Sequence, residues 1–519
     1  MIEKYLNNRF LSLVFIPFLL GCFSVFSFEP FNLTLINFFV LPIFFYLVFY
    51  IKKKSKSTYR KKPFKKNLFV CGTFFGFGFY LAGIHWITYS LTFDESFKFL
   101  IPFALILIPL FLSLFFSLTI LMIGPFLNLN FPSIFLFSSS LAFSDYLRSK
   151  ILTGFPWNLW AYSFSWVNEI IQIVNKIGLF AFNLIVITIF LTPVIFVFKL
   201  NLGKKIITVF ITFLVFLSLY LHGSHSINQN QSYVSKISEK YFVKAISPSF
   251  DLKYDLSNEE IKLRLQKLIK YSSPEKNLKT LFVWPEGVFS GYDYNDILKF
   301  KSLFTENFSK NHFILLGVNT YDEEKSGHYN SLIIVNNRFE IIQNYRKQKL
   351  VPFGEFLPMN SFLNKFGLKK ITEGHGSFLK GNKSGNLEIE NLNILPLICY
   401  EIIFTELIQQ SSSNSNLIIN ISEDGWFGNS IGPKQHFVKG IFRAIEHNTY
   451  FIRSANKGIT AIINNKGEIE KKLNPTEIGY ISQEIPLIKT NKKIKNDLIF
   501  FILLFTYVLL FKFNRKKNE

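Results

Sequence analysis

Cysteine is rare in this chain, with three residues among 519. Cys22 and Cys71 lie inside long apolar runs, so the polar part of the sequence contains only Cys399. Since Cys399 has no partner within that part, a fold stabilised by disulfides is excluded there. A single cysteine is commonly a small buried core residue, and the alternative is a reactive thiol.

The sequence also lacks the motifs of several ligand-binding classes. We find no cluster of residues with the spacing of a metal site and no glycine-rich nucleotide loop, so we expect no metal and no cofactor. The net charge of +22 at first suggests nucleic acid. Aromatic and basic residues, however, do not alternate as they do where bases stack, and we expect no nucleic-acid partner.

Apolar residues are abundant and unevenly distributed. The chain contains 64 phenylalanines, and its mean hydropathy of +0.26 would be unusual for a soluble enzyme. Phe, Leu and Ile dominate both ends of the chain, whereas the sequence between them is mixed and polar. This distribution predicts a membrane domain over residues 1–223, a polar domain over 224–495, and a final span with a basic tail over 496–519.

Eight apolar segments predict membrane-spanning helices, seven of them in the first domain. A motif at Leu19–Cys22 resembles the cleavage site of a lipoprotein signal peptide, but the apolar run continues beyond it, which favours a span. The fifth segment and the two shortest ones have the weakest signals. The eight segments are residues 10–28, 31–51, 68–92, 99–127, 131–147, 177–198, 206–221 and 498–513.

Basic residues predict the orientation of these spans. Nine of the 57 Lys and Arg residues lie between Lys52 and Lys66, directly between two apolar segments. Because positively charged loops stay on the cytoplasmic side, this loop and the N-terminus are predicted to lie inside. The polar domain over residues 224–495 is then extracytoplasmic.

The polar domain alternates strand-like and helix-like segments, which predicts an α/β domain with buried strands. Helical spacing is present over residues 258–272, 294–308 and 434–448. Short apolar runs typical of strands occupy residues 242–246, 281–284, 313–318, 332–335, 394–398, 417–421 and 450–453.

Three side chains that could take part in catalysis lie near the ends of such runs. Glu286 could accept a proton, Lys347 could favour a thiolate and later an oxyanion, and the sulfur of Cys399 could attack a carbonyl. A free thiol has a pKa of roughly 8.5, which a nearby Lys347 would lower. Each residue also has an ordinary explanation, as one half of a solvated ion pair or as a core cysteine.

Two levels of family resemblance follow from these motifs. FVWPEG, YRKQKLVPFGEF and LPLICYEIIF, in this order, resemble the nitrilase superfamily, whose Glu-Lys-Cys triad matches Glu286, Lys347 and Cys399. A narrower resemblance, to the membrane-embedded apolipoprotein N-acyltransferases, rests on further motifs. These are FEPFN, GIHW, LTGFPW, LVPFGEFLP, CYE, DGWFGNSIGPKQH and RSANKGITA.

The resemblance implies a four-layer αββα sandwich in the polar domain and an acyl transfer in two steps. Cys399 would take an acyl chain from a membrane phospholipid as a thioester, and the N-terminal amine of diacylglyceryl-cysteine in an apolipoprotein would then accept it. This reaction is the last step of lipoprotein maturation. It implies a multi-pass protein of the bacterial inner membrane, with its catalytic domain on the periplasmic side and with phospholipid and diacylated apolipoprotein as partners.

The resemblance also assigns supporting positions. Glu355 is expected to orient the triad lysine or the incoming amine, and Glu401 to support the triad or the loop around it. Tyr400 either packs against acyl chains or fills space. Tyr254 and Trp157 are expected to contact lipid.

The chain departs from the family pattern before its Trp-Phe pair, where Glu423 and Asp424 replace the usual Asn-Asp. The role of Glu423 stays open at this point. Two other functions also stay open: a membrane-tethered nitrilase-type amidase that uses water as acceptor, and a transporter or scaffold. The latter predicts charged or broken segments at the middle of the membrane, and few are present.

Overall fold

A computed structural model describes residues 6–54, 63–358, 377–382, 385–410, 414–489 and 496–516. The chain divides into two compact units. The first combines Met1–Ser226 with Ile494–Glu519, and the second is Ile227–Lys493. Within the ranges given, every strand belongs to the second unit.

Apolar helices make up the first unit, and the last of those before the second unit, α9 Leu202–Val234, ends within the second unit. A helix satisfies its own backbone hydrogen bonds, so a run of Phe, Leu and Ile can expose apolar side chains on every face. Numbered in chain order, these helices are α1 Ile16–Val25, α2 Asn37–Lys54, α3 Pro63–Ile84, α4 Ile101–Ile123, α5 Phe131–Lys150, α6 Asn168–Ile171, α7 Val174–Ile177, α8 Leu179–Leu191, α9 Leu202–Val234 and, near the C-terminal end, α15 Asn496–Lys516.

Among the described residues, five helical segments are long and apolar enough to cross a membrane, and a sixth, Leu11–Val25, is apolar but shorter. The predicted segments 131–147 and 498–513 are helical as well, but α5 and α15 are not among those five. The prediction of about eight helices therefore roughly fits. The five segments are Thr34–Lys54, Phe64–Thr92, Glu95–Phe126, Leu179–Val197 and Leu202–Val234.

Close packing of α1 on α3 depends on two glycines. A Cβ atom on Gly21 would lie 2.1 Å from the carbonyl oxygen of Phe75, and one on Gly78 would lie 2.1 Å from that of Phe18. The two backbones can therefore approach to a distance that no other residue permits, as small residues allow between apolar helices. Phe44 of α2 stacks on Phe75, with 3.9 Å between ring centroids.

Where the structure describes the second unit, its strands form two six-stranded sheets. The strands are β1 Lys240–Ser247, β2 Thr280–Val283, β3 His312–Asp322, β4 Gly327–Val335, β5 Ile341–Arg346, β6 Leu387–Ile389, β7 Leu392–Ile398, β8 Leu417–Glu423, β9 Tyr450–Asn456, β10 Thr460–Ile463, β11 Ile469–Leu473 and β12 Gly479–Pro486. The strand orders are β12-β1-β2-β3-β4-β5 and β11-β10-β9-β8-β7-β6. Parallel pairs β1–β2–β3 and β7–β8–β9 form the middle of each sheet.

The two sheets pack face to face, and helices cover their outer faces. Leu281 and Val283 of β2 lie in the core between the sheets, whereas Phe282 points to the helices on the other side. On the second sheet, Gly440 lets a helix approach Phe451 of β9. The helices that the structure describes in this unit are α10 Asn258–Ser272, α11 Tyr294–Leu298, α12 Lys301–Asn307, α13 Thr405–Gln410 and α14 Gly432–His447.

This architecture confirms the predicted nitrilase-like αββα sandwich. All seven predicted strands overlap observed ones, and the helix predicted over 258–272 has those bounds, because Ser257 and Glu260 form a capping box at its start. The single helix predicted over 294–308 is wrong, since two short helices occupy that segment. The chain leaves helical geometry at Phe300, whose side chain packs against the core.

Candidate active site

The three predicted site residues each lie just beyond the end of a strand. Glu286 follows β2, Lys347 directly follows β5, and Cys399 directly follows β7. The first two strands belong to one sheet and β7 belongs to the other. Because the sheets pack face to face, these strand ends come together. Glu286 and Lys347 are in contact, and the charges of both act on the Cys399 thiol.

Lys347 is the centre of the charged part of the site. Its side chain is 1% exposed, and its Nζ lies 2.9 Å from Glu355 Oε1 and 3.5 Å from Glu286 Oε1. The other oxygen of Glu355 accepts a hydrogen bond of 2.9 Å from the backbone N–H of Val351. Glu355 therefore contacts Lys347 directly, and its expected role in orienting that lysine stays a prediction.

Asn330 is a site residue that the sequence analysis missed. Its side-chain amide donates to Glu286 Oε1 at 2.8 Å and to Glu355 Oε1 at 2.7 Å. Asn330 therefore bridges the two carboxylates that contact Lys347. The available signal was a polar residue inside the strand GHYNSLIIV, but a buried strand asparagine has many ordinary explanations.

Two neighbouring carboxylates keep Lys347 positively charged. Burial by itself would lower the pKa of Lys347, but the charges of Glu286 and Glu355 outweigh burial and hold that pKa above its usual range. Lys347 is therefore a fixed cation at neutral pH. It can stabilise a negative charge but cannot accept a proton, which leaves Glu286 or Glu355 for that task.

Cys399 begins a short 3₁₀ turn, Cys399–Ile403, directly after β7. Its φ of 47° lies in the left-handed region, which a residue with a Cβ adopts only at a cost. Such a turn at a strand end directs the side chain away from the ladder of backbone hydrogen bonds. The residue is 8% exposed.

The environment of Cys399 differs from the sequence-based expectation. Burial is the largest influence on the thiol and raises its pKa, and the charge of Glu286 raises it further. Lys347 and a hydrogen bond with Ser422 act in the opposite direction but do not compensate. The expectation that Lys347 would lower the thiol pKa is confirmed for that one influence, but burial and the charge of Glu286 outweigh it, and the net pKa is raised. The resting thiol is protonated and needs a base as it reacts.

Glu401 links the turn at Cys399 to the loop that follows β5. It is fully buried and accepts hydrogen bonds from the backbone N–H groups of Ile398, Gln348 and Lys349, and from the Tyr345 hydroxyl. Burial raises the pKa of Glu401 to about 7, although the backbone hydrogen bonds oppose that shift. Glu401 thus joins the turn at Cys399 to the loop that follows Lys347, and its expected role in catalysis stays a prediction.

The remaining predicted residues lie further from these charges. Tyr400 is half-buried and meets Phe404 edge to face, with 5.1 Å between ring centroids. Tyr254, also half-buried, lies beside Gly291. In the first unit, Trp157 is 1% exposed and stacks on Phe155. The lipid contacts of Tyr254 and Trp157 stay predictions.

The carboxyl of Glu423 is a further buried group near the site. The backbone N–H of Glu423 donates to Glu286 Oε2 at 3.1 Å. Its side chain accepts from the backbone N–H of Gly425 at 2.8 Å and from the amide of Asn456 at 2.6 Å. Within the described part of the chain, no group of three or more His, Cys, Asp or Glu side chains could hold a metal ion.

Sequence models of two protein families match the chain. Residues 20–192 match the apolipoprotein N-acyltransferase N-terminal domain, and residues 256–493 match carbon-nitrogen hydrolase. Among solved structures, Nit3 of Saccharomyces cerevisiae, a member of branch 10 of the nitrilase superfamily, is 18% identical. The match covers 48% of this chain and 91% of Nit3, with a TM-score of 0.35.

Bacterial relatives match nearly the whole length. The apolipoprotein N-acyltransferase of Rickettsia typhi is 33% identical over 511 residues, which cover 95% of this chain and 98% of the relative. That of Rhodopseudomonas palustris is 28% identical over 488 residues, covering 91% and 89%. With the long apolar helices of the first unit, these relatives indicate a membrane protein. The chain belongs to the apolipoprotein N-acyltransferase family.

Proposed function

We propose that this protein transfers an acyl chain from a membrane phospholipid to the N-terminal amine of diacylglyceryl-cysteine in apolipoproteins, through a thioester on Cys399. The observation that carries the proposal is the buried Lys347, held by Glu286 and Glu355 beside a protonated thiol. This arrangement supplies a carboxylate that can accept and return a proton, a fixed cation and a nucleophile.

In the first half-reaction, Glu286 accepts the proton of the Cys399 thiol as the sulfur attacks the ester carbonyl. The S–C bond forms, and negative charge develops on the carbonyl oxygen, where the Lys347 cation stabilises it. The C–O bond of the ester then breaks, and the proton on Glu286 passes to the leaving lysophospholipid oxygen. The product is a thioester on Cys399.

In the second half-reaction, the free amine of the diacylated apolipoprotein attacks the thioester carbonyl. The N–C bond forms, the C–S bond breaks, and a proton from the amine returns to the sulfur by way of Glu286. The products are an amide and the resting enzyme. Because two substrates react in turn at one sulfur, ping-pong kinetics are expected.

Similarity in the first unit favours an amine acceptor over water. A nitrilase-type hydrolase would need only residues 256–493, whereas residues 20–192 match the N-terminal domain of apolipoprotein N-acyltransferases. The substrates also favour a membrane setting, since withdrawing a lipid chain from the bilayer costs about 0.8 kcal/mol per CH₂. We further propose that the enzyme lies in the inner membrane with its catalytic unit on the periplasmic side, as its basic loops predict.

The test is mass spectrometry of the full-length protein in detergent after incubation with phospholipid. We expect one acyl mass on the peptide that contains Cys399, and its release as a triacylated product when a diacylated lipopeptide is added. Cys399→Ala should abolish the adduct, and the matched Cys22→Ala should keep it. An adduct that survives in Cys399→Ala, or release of free fatty acid alone in the presence of the lipopeptide, would refute the proposal.

A further inference from the structure

Glu423 is a buried carboxyl that the two half-reactions do not use. It ends strand β8 and is 1% exposed. Each of its oxygens has a defined partner, since Oε1 accepts from Gly425 N–H and Oε2 accepts from the amide of Asn456. A buried carboxyl with this many contacts holds its surroundings in place, and its charge state affects its neighbours strongly.

The surroundings of Glu423 include the turn that carries Glu286. A Cβ atom on Gly287, the next residue, would lie 2.3 Å from Glu423 Oε2, so the carboxyl lies directly against this turn. Gly287 has a φ of 80°, which lets the turn form without strain. The backbone N–H of Glu423 also donates to Glu286 Oε2.

The two oxygens of Glu286 are thus held from opposite sides. Asn330 and Lys347 contact Oε1, and the backbone of Glu423 contacts Oε2. We propose that Glu423 is a positioning residue for Glu286, and that ionisation of its carboxyl increases the readiness of Glu286 to take the proton of Cys399. This inference rests on the function proposed above, in which Glu286 is the proton acceptor.

Several charged groups face Glu423 and decide when it ionises. Burial raises the pKa of Glu423 to about 8, the hydrogen bonds from Asn456 and Gly425 oppose this shift, and the charges of Glu286 and Asp424 add to it. The cation that acts on Glu423 from α10 is Arg264.

The remaining nearby charges are already paired. The charge of Asp424 is paired with Arg453. Beyond Asn456, Lys457 forms an ion pair with Asp251 at the protein surface.

The sign of the effect follows from these charges. At neutral pH the Glu423 carboxyl is mostly protonated and neutral. When it ionises above about pH 8, a second negative charge appears next to Glu286. A neighbouring negative charge raises the proton affinity of a carboxylate, so Glu286 becomes the stronger base.

The test is the rate at which iodoacetamide alkylates Cys399 in the full-length protein, measured from pH 6.5 to pH 9.5 by mass spectrometry of the Cys399 peptide. We expect the ratio of the wild-type rate to the Glu423→Gln rate to rise by about threefold or more, with a midpoint near pH 8. Both proteins keep the other groups that act on the thiol, Glu286, Lys347 and Asp424, so the ratio reports the effect of the Glu423 charge.

Two further variants separate positioning from general damage. Glu423→Ala, which loses the contacts to Gly425 and Asn456, should be slower than wild type at every pH, and Glu423→Gln should recover most of that loss without the pH step. Glu275→Gln, at a carboxylate whose side chain is 68% exposed, should match wild type throughout. If Glu423→Ala does not fold, the ratio of the wild-type rate to the Glu423→Gln rate alone decides.

A ratio that is constant across the pH range, or an equal step in Glu275→Gln, would overturn the inference. Alkylation needs no lipid, so the two proposals fail separately. If phospholipid leaves no adduct on wild-type Cys399, the proposed function fails, whatever the ratio shows. If the adduct forms and the ratio is constant, only the role of Glu423 fails.

Discussion

Among the described residues of the second unit, two buried charged clusters differ in the balance of their charges. The first, the site cluster, consists of Glu286, Lys347 and Glu355 around Asn330. It has one ammonium group for two carboxylates, and the Cys399 thiol lies beside it. Because the cluster has one more carboxylate than ammonium groups, one carboxylate is available to take a proton.

The second, the support cluster, consists of Asp424, Arg453 and His436. Arg453 Nη2 lies 2.8 Å from both oxygens of Asp424, and His436 Nδ1 lies 3.1 Å from Oδ1. Burial and the Arg453 charge lower the pKa of His436 to about 4, so the histidine is neutral. One cation therefore balances one anion.

The comparison shows how one unit uses buried charge in two ways. The balanced support cluster, with all three side chains fully buried, joins the turn after β8 to strand β9 and helix α14 but has no proton to exchange at neutral pH. An unbalanced cluster can move a proton. Ser422 connects the two, since its hydroxyl donates to Asp424 Oδ1 at 2.7 Å and also interacts with the Cys399 thiol.

Removing the excess carboxylate of the site cluster should give the largest effect. Glu286→Gln keeps the size of the side chain and an oxygen for Lys347 but cannot accept a proton. We expect the rate of Cys399 acylation by phospholipid, followed by mass spectrometry, to fall by about 10²- to 10⁴-fold. The unfolding midpoint should change little.

Glu275→Gln, the exposed control, should acylate at the wild-type rate. A fall of less than tenfold in Glu286→Gln would show that another group accepts the proton, and the two clusters would then not differ as described.

Breaking the support cluster should act on stability instead. Arg453→Met leaves the Asp424 charge buried without its cation, a type of change that costs about 3–5 kcal/mol. We expect a large fall in the free energy of unfolding in chemical denaturation. Adding Asp424→Asn should recover part of it, because the uncompensated charge is then gone. If the single and double variants are equally destabilised, or if neither is, the balance of charge is not what this cluster contributes.

The pH dependence of stability should show the smallest of these effects, and it also separates the two clusters. The folded-state pKa values of Glu401 and Glu423, about 7 and about 8, lie above the ordinary 4.5. The folded state then binds more protons, so the stability from these carboxyls is present at low pH and is lost as pH rises through these values. Asp424 has the opposite sign, because burial is outweighed by Arg453 and His436, which lower its pKa.

The contribution of the support cluster to stability should therefore be lost on acidification below about pH 4. The contributions of Glu401 and Glu423 should be lost as the pH rises from about 4.5 to about 8. Unfolding midpoints from tryptophan fluorescence, measured from pH 3 to pH 9, test this. Glu401→Gln should flatten the decline towards alkaline pH and leave the acid limb unchanged. An alkaline decline of the same depth in Glu401→Gln would contradict the assignment.

Local signals account for the parts of the fold that were predicted well. Helix α10 has its predicted bounds because its capping box and its apolar spacing are both encoded within a few neighbouring residues. Strands β5, β6, β10, β11 and β12 were not predicted. Two of them, β6 and β11, are short, lie at sheet edges, and become strands only by pairing with a neighbour. Pairing of this kind is a property of distant segments.

The site was predicted in the same uneven way. The identities of Glu286, Lys347 and Cys399 follow from motifs, but the bridging role of Asn330 does not, because nothing in GHYNSLIIV states what the amide will meet. The roles of Glu401 and Glu423 likewise depend on which backbone N–H groups surround them.

The amino-acid sequence alone determined that this protein has long apolar helices and a polar α/β unit with a single cysteine, because hydropathy and periodicity are local properties of the chain. Only the tertiary structure decided that Lys347 is a fixed cation and that the Cys399 thiol is protonated at rest. Such states depend on burial and on charges that meet through space, here between groups 61 residues apart in the case of Lys347 and Glu286.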